Sequence, residues 1–253
     1  MHVITVLFAL FAPNIMLQQD ATPNVLIVLR LVHLVAGITW LGLLYFFNLV
    51  NVPFLQQLDP PSRRTVVPLL MTRALWWFRW ASVVTVFAGI WYWMIIVGTD
   101  KRNGLEQGFP ASGGLAIGSF FLIWTVVSLL MVGIFSMGKL NDKPAVLGAI
   151  FTVLLVAAAY LYLSLNTHGW ESNNLLSIGI GGGLGWVMMM NVWGVIWRAQ
   201  KRLIQWTAEG VAPPNAAKLA RMSYIASRVN FWMSFPMLFF MAAASHYLMF
   251  GVK

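Results

Sequence analysis

Arg30 and His33 lie about one turn apart inside a 27-residue apolar run, Asn24 to Val50. An arginine and a histidine are costly in hydrocarbon, so they normally face a bundle interior, a cofactor or a water-filled pocket. At 100° per residue, Arg30, His33, Gly37, Trp40, Leu44, Asn48 and Asn51 fall within about 80° of one another. Nearly every polar or small residue of the run shares that stripe. Ile27, Leu31, Leu34, Ile38, Leu41 and Leu49 lie mostly outside it and can meet lipid or neighbouring helices. A simple anchor needs no such stripe; a packed redox or ligand site does.

Two histidines on different helices at similar depth suit six-coordinate haem b, because a neutral imidazole nitrogen is a good axial ligand for iron. His33 and His246 are the candidate metal ligands. Arg30, one turn further out than His33, is placed to meet a haem propionate by a charge-assisted hydrogen bond. Gly37, one turn deeper, would let a flat macrocycle lie close to the helix, and Trp40 would wall its side. A quinone is the alternative occupant. The bland alternative is that His33 hydrogen-bonds a neighbouring helix while Arg30 snorkels to the headgroups. His246 lies off the line of Asn230, Ser234, Met241 and Ser245, although Pro236 can rotate the upper part of its helix. His168, before Gly169 and Trp170, reads as a surface or capping residue, and His2 lies near the terminus.

These residues need a membrane bundle to position them. Sixty per cent of the 253 residues are hydrophobic and only 9% are charged, against about 45–50% and 25% in soluble domains. The expected fold is an all-α integral membrane protein, a single domain over 1–253. Its helical bundle over 24–250 has about six spans, near 24–50, 76–98, 114–137, 145–165, 175–197 and 230–250. Asp59-Pro60-Pro61-Ser62, 100–110, Asn141-Asp142-Lys143-Pro144 and Glu171-Ser172-Asn173-Asn174 separate them with turn chemistry. Residues 1–17 form a short hydrophobic segment without a basic n-region, expected as an extra helix in or at the membrane rather than a cleaved leader. Residues 198–229 mix basic and apolar side chains around Pro213-Pro214 and read as interfacial helices on the cytoplasmic face.

Charge sets the expected orientation. One set of loops holds Arg63, Arg64, Arg73, Arg79, Lys139, Lys143, Arg198, Lys201, Arg202, Lys218, Arg221 and Arg228; the other holds Lys101, Arg102 and Lys253. Twelve against three is a positive-inside signal that puts the C-terminus outside and His33 about 13 Å in from the outer end of its helix. The net charge of +9 therefore fits cytoplasmic loops and anionic lipid rather than nucleic acid.

Several chemistries are excluded. With no cysteine, there are no disulfides, thiolate metal sites, iron–sulfur clusters or haem attached through C-x-x-C-H. No Ser/His/Asp constellation or H-E-x-x-H spacing occurs. No Asp or Glu falls within an expected span, which argues against a carboxylate-based proton pump. Gly179, Gly181, Gly182, Gly183 and Gly185 follow no strand and sit in an apolar run, so they read as close helix packing rather than a nucleotide loop, although a porphyrin or quinone could lie against the bare helix. Arg73-Ala74-Leu75-Trp76-Trp77-Phe78-Arg79-Trp80 reads as an interfacial aromatic belt with arginines on lipid phosphate; a docking surface or quinone-headgroup site is the functional alternative.

Leu31-Val32-His33-Leu34-Val35-Ala36-Gly37-Ile38-Thr39-Trp40-Leu41-Gly42, with Tyr45-Phe46-Phe47-Asn48 and Asn51-Val52-Pro53, resembles the first helix of the membrane domain of bacterial urate oxidases. Arg73 to Trp80 and Asn191-Val192-Trp193 through Gln200-Lys201 resemble later signatures of that domain, and the likeness runs from about residue 24 to the end. A looser likeness, confined to His33 through Tyr45, links the chain to membrane protoporphyrinogen oxidases that bind haem b. Both resemblances imply a role for His33. Urate oxidases of this family carry a C-terminal cytochrome c domain, whereas these residues contain no cysteine to attach haem c. The implied electron acceptor is a separate protein or a quinone. The leading expectation is a multi-pass redox subunit of the bacterial inner membrane, binding haem b in its outer half and handing electrons to other membrane or cytochrome subunits. The competing expectation is a cofactor-free accessory subunit of a respiratory or photosynthetic complex. A permease is weaker, since no inverted repeat is evident.

Overall fold

A computed structural model describes residues 21–250. The segment expected at 1–17, His2 and Lys253 lie outside the described residues. Every regular element among the described residues is helical: α1 (Ala21–Tyr45), α2 (Val52–Gln57), α3 (Pro60–Glu106), α4 (Gly113–Met137), α5 (Pro144–Asn166), α6 (Asn173–Asn191), α7 (Trp197–Glu209) and α8 (Ala216–His246). A π-helical turn, Phe46–Asn51, joins α1 to α2, and a second, Val192–Ile196, joins α6 to α7.

Local chemistry sets the boundaries. The Asp59 side chain accepts from the Ser62 backbone N–H, and Pro60-Pro61 fill first-turn positions of α3 that have no hydrogen-bond duty. Ser172 caps α6 through the Leu175 N–H. Gly138 and Gly210 end α4 and α7 in the left-handed conformation, at φ 71° and 70°.

Five helical stretches are long and apolar enough to cross a membrane: Thr22–Gln57, Pro60–Glu106, Gly113–Met137, Pro144–Asn166 and Asn173–Glu209. The protein is therefore a multi-pass, all-helical membrane protein. Three details differ from the expectation. The sixth span, placed at 230–250, is the later part of α8; Asn230, Ser234, Pro236, Ser245 and His246 dilute its apolar run, and it is not among the five. The span placed at 76–98 belongs to a single 47-residue helix, about 70 Å long at 1.5 Å per residue, so Arg63, Arg64 and Arg73 ride on a helix rather than a loop. Residues 198–229 are not a self-contained unit of helices. They are the end of a rod continuous with α6, the turn around Pro213-Pro214 and the beginning of α8; no proline occurs between Asn191 and Glu209, and Gly194 is absorbed in the π-helical turn.

The bundle is organised around α6. The most apolar stretch of the α6–α7 rod is 78% buried, against 17% for that of α1. Close packing of α6 rests on its glycines. A Cβ at Gly179 would run into the Tyr162 ring, and one at Gly183 into the Trp124 indole. One at Gly181 would stand 3.1 Å from Phe240 Cβ and 3.2 Å from the Met237 carbonyl oxygen on α8. Small residues let transmembrane helices approach until dispersion and side-chain hydrogen bonds hold them. Asn191 donates to Asn230 (2.8 Å) and to the Ala226 carbonyl (3.0 Å), while Asn230 donates to the Met188 carbonyl (3.0 Å). These bonds lock α6 to α8. α1 joins the periphery by packing along α3. Of its expected outward residues, Ile27, Leu31, Leu34, Ile38 (72%) and Leu49 are exposed and Leu41 is partly buried against the core, whereas Trp40, Leu44, Asn48 and Asn51 are buried.

Candidate functional site

α1 and α8 run antiparallel and meet at Tyr45, whose hydroxyl lies 3.0 Å from Ser234 Oγ and whose ring packs on Phe231 and Phe235. From that junction toward Arg30 on α1 and His246 on α8, the two helices line one cavity of about 760 Å³. α3, α6 and Phe120 of α4 complete its wall. That volume lies within the range of about 300–1,000 Å³ typical of ligand sites, and the lining is mainly apolar with a few polar groups. Arg30, His33, Gly37, Trp40 and His246, separated by up to 216 positions in sequence, all line it.

The state of His33 follows from its partner. Its Nδ1 lies 2.8 Å from the Thr85 carbonyl oxygen on α3. A carbonyl can only accept, so Nδ1 carries the proton and donates, and in the neutral ring Nε2 keeps its lone pair. The half-buried ring rests against bare backbone. A Cβ at Gly89 would stand 2.8 Å from both His33 Cε1 and Nδ1, closer than side chains approach. Gly89 is four residues beyond Thr85, so the missing side chain opens the helix surface where His33 reaches the carbonyl.

Arg30 is exposed and has a partner on α3. Its guanidinium donates to the Tyr92 hydroxyl and stands 5.3 Å from the Tyr92 ring centroid. Trp40 is 1% exposed, and its indole N–H has no acceptor among the described residues. Gly182 and Gly185 also line the cavity, so two glycines of α6 present backbone to it while their neighbours seat Tyr162, Trp124 and α8. His246 is exposed in the last turn of α8.

His168 stands apart from the cavity. Its Nδ1 lies 2.8 Å from Glu171 Oε1, and its backbone N–H donates to Glu171 Oε2, also at 2.8 Å. Its side chain is half-exposed, which fits the surface part of the expectation. In the aromatic motif, Leu75 and Phe78 are buried while Trp76 and Trp77 face outward.

Thr85, Gly89 and Tyr92 were not singled out in the sequence. Their spacing of four and three puts a hydroxyl residue, a glycine and a tyrosine on one face of an apolar helix, which is the available signal. Their partners, 52 to 62 residues away in sequence, carry no local trace of the pairing.

A family model described as urate oxidase N-terminal matches residues 58–253. The match includes Thr85, Gly89, Tyr92 and His246 and begins after Arg30, His33, Gly37 and Trp40, so it is shorter than the likeness from residue 24 read in the sequence. No curated protein and no solved structure matches the chain. The looser likeness to protoporphyrinogen oxidases finds no support in these comparisons.

Proposed function

The chain belongs to the urate oxidase N-terminal family, and from that premise we propose that it is a membrane electron-transfer subunit whose cavity takes haem b on His33. The observation that carries the reading is the Nδ1–H bond from His33 to the Thr85 carbonyl. Haem and metal-ligating histidines almost always donate their second ring N–H to a carbonyl or carboxylate, which fixes the tautomer and raises the basicity of the ligating nitrogen. His33 has that arrangement in a cavity of suitable size, with Nε2 as the ligating nitrogen.

The other residues fit the same group. Arg30, steadied by Tyr92, would meet a propionate. Gly37, Gly182 and Gly185 leave room for a flat ring, and Trp40 offers an unpartnered N–H beside it. On α8, His246 would help hold the group through its imidazole, and the Met241 thioether, which also lines the cavity, is the competing donor. Haem iron, when bound, supplies a one-electron couple whose potential depends on that choice, a methionine raising it relative to histidine. A mainly apolar wall would limit the change in solvation when the charge of the group changes. Electrons would leave to a separate cytochrome or quinone. The positive-inside asymmetry supports placement in the bacterial inner membrane with the cavity in the outer half and the C-terminus outside.

The test is the pyridine haemochrome stoichiometry of protein expressed with ample haem, for the wild type and His33→Ala. About one haem per wild-type chain and none in a folded His33→Ala variant supports the proposal. Equal haem in both removes His33 as a ligand. A quinone recovered in place of haem favours Arg30 and Tyr92 as donors to a carbonyl oxygen. A folded protein without either leaves the accessory-subunit reading.

A further inference from the structure

Arg79 is a cation without an anion. Its guanidinium carbon lies 3.9 Å from the ring centroid of Trp197, 5.6 Å from that of Trp193 and 5.9 Å from that of Trp80. Trp80 and Trp193 pack edge to face at 5.3 Å. No carboxylate among the described residues pairs with Arg79, and no acceptor meets its N–H groups; its buried Nε is unpartnered. The Trp193 indole N–H beside it is also buried and unpartnered. Arg63 reaches the Leu55 carbonyl, Arg221 the Asn141 carbonyl and Arg228 the Tyr224 hydroxyl, while the other arginines without an acceptor, Arg73 among them, are exposed; Arg79 is half-buried.

The geometry of a guanidinium makes the gap specific. Stacking on an indole uses its flat face, whereas its five N–H donors radiate in the plane. The tryptophans therefore hold and orient Arg79 but satisfy none of its donors. Arg79 sits six residues, about 9 Å, deeper along α3 than the exposed Arg73, at the start of the apolar stretch and beside the outward-facing Trp76 and Trp77. A tryptophan-rich zone of this kind marks the depth of lipid headgroups. The π-helical turn Val192–Ile196 carries Trp193 and leads into Trp197, so the irregularity lies where the cage is built.

We propose that Arg79 binds the phosphate of an anionic lipid at the seam between α3 and the α6–α7 rod, held in place by the surrounding tryptophans. The outer edge of the planar fork takes the phosphate oxygens, while the stacked tryptophans fix its orientation. This site is separate from the His33 cavity and does not depend on what that cavity holds.

The test is native mass spectrometry of the delipidated protein, titrated with short-chain phosphatidylglycerol, with phosphatidylcholine and with inorganic phosphate. The expected result is a specific phosphatidylglycerol adduct whose apparent affinity falls about tenfold or more in Arg79→Gln, as the loss of a charge-assisted hydrogen bond implies. Arg73→Gln, an exposed control on the same helix, should leave it within about twofold, as removal of a screened surface charge implies. Should Arg79→Gln not fold, Arg79→Lys keeps the charge and removes the planar fork, and a several-fold loss is expected. Unchanged phosphatidylglycerol affinity in the folded variants overturns the proposal. Equal affinity for phosphatidylcholine overturns the selectivity for anionic lipid, and tight binding of inorganic phosphate alone overturns the lipid as occupant.

Discussion

Gly89→Ala isolates the His33 arrangement with a single methyl group. The added Cβ would stand 2.8 Å from His33 Cε1 and Nδ1, against an ordinary carbon contact of about 3.5–4.0 Å. The ring must therefore withdraw by about 0.7–1.2 Å, and the 2.8 Å bond from Nδ1 to the Thr85 carbonyl cannot survive in its present geometry. A neutral hydrogen bond of this kind contributes about 0.5–1.5 kcal/mol. Loss of an outer hydrogen-bond partner costs a metal-ligating histidine about 10–100-fold in affinity or activity. Helix propensity works the other way, since Gly→Ala at a compatible helical position stabilises by about 0.4–1 kcal/mol. The variant should thus fold with near-normal thermal stability yet bind haem about 10–100-fold more weakly. Titration of haem into apoprotein, followed by absorbance and paired with a thermal melt, separates the two effects. Unchanged haem affinity in a folded Gly89→Ala variant would refute the reasoning that the Thr85 bond sets up His33 as a ligand.

Other substitutions test neighbouring parts of the account. Arg30→Gln should lower haem affinity without abolishing the spectrum, because it removes a propionate partner and not an axial ligand; haem titration checks this. His246→Ala and Met241→Leu should show which of the two donors on α8 holds the haem together with His33. Only the substitution of the true ligand should change the low-spin absorption spectrum, and a change in neither would place that ligand elsewhere. Gly183→Ala forces a methyl group into the Trp124 ring and should cost about 1–3 kcal/mol by overpacking, read as a lowered melting temperature in detergent. Hydrogen bonding to Ser62 holds the Asp59 carboxyl below its usual range. Its capping contribution should therefore be present above the unfolded pKa of about 3.9 and fade as pH falls through the lower folded value. Asp59→Asn should flatten that part of the difference between the two stability profiles.

The inward stripe of α1 was legible because lipid and protein interior demand different side chains on opposite faces of one helix. Ile38 and Leu31 face out and Trp40 and Asn48 are buried, as periodicity requires. The glycines of α6 were legible as packing residues for a similar reason: small side chains in an apolar run imply a close neighbour. What that neighbour is was not legible, since the seats for Tyr162 and Trp124 are fixed by tertiary packing alone. The continuity of α6 with α7 was missed because hydropathy falls after Ile196 while helix-forming character does not. On the cavity, sequence supplied His33, Arg30, Gly37, Trp40 and His246. It withheld Thr85, Gly89 and Tyr92, whose importance comes from facing α1 across more than fifty residues of chain.

The most direct measurement is a dithionite-reduced minus oxidised absorption spectrum of the wild-type protein, purified in detergent from cells supplied with haem. The account expects a b-type difference band at about one haem per chain. A featureless spectrum from a folded, haem-exposed preparation would contradict it.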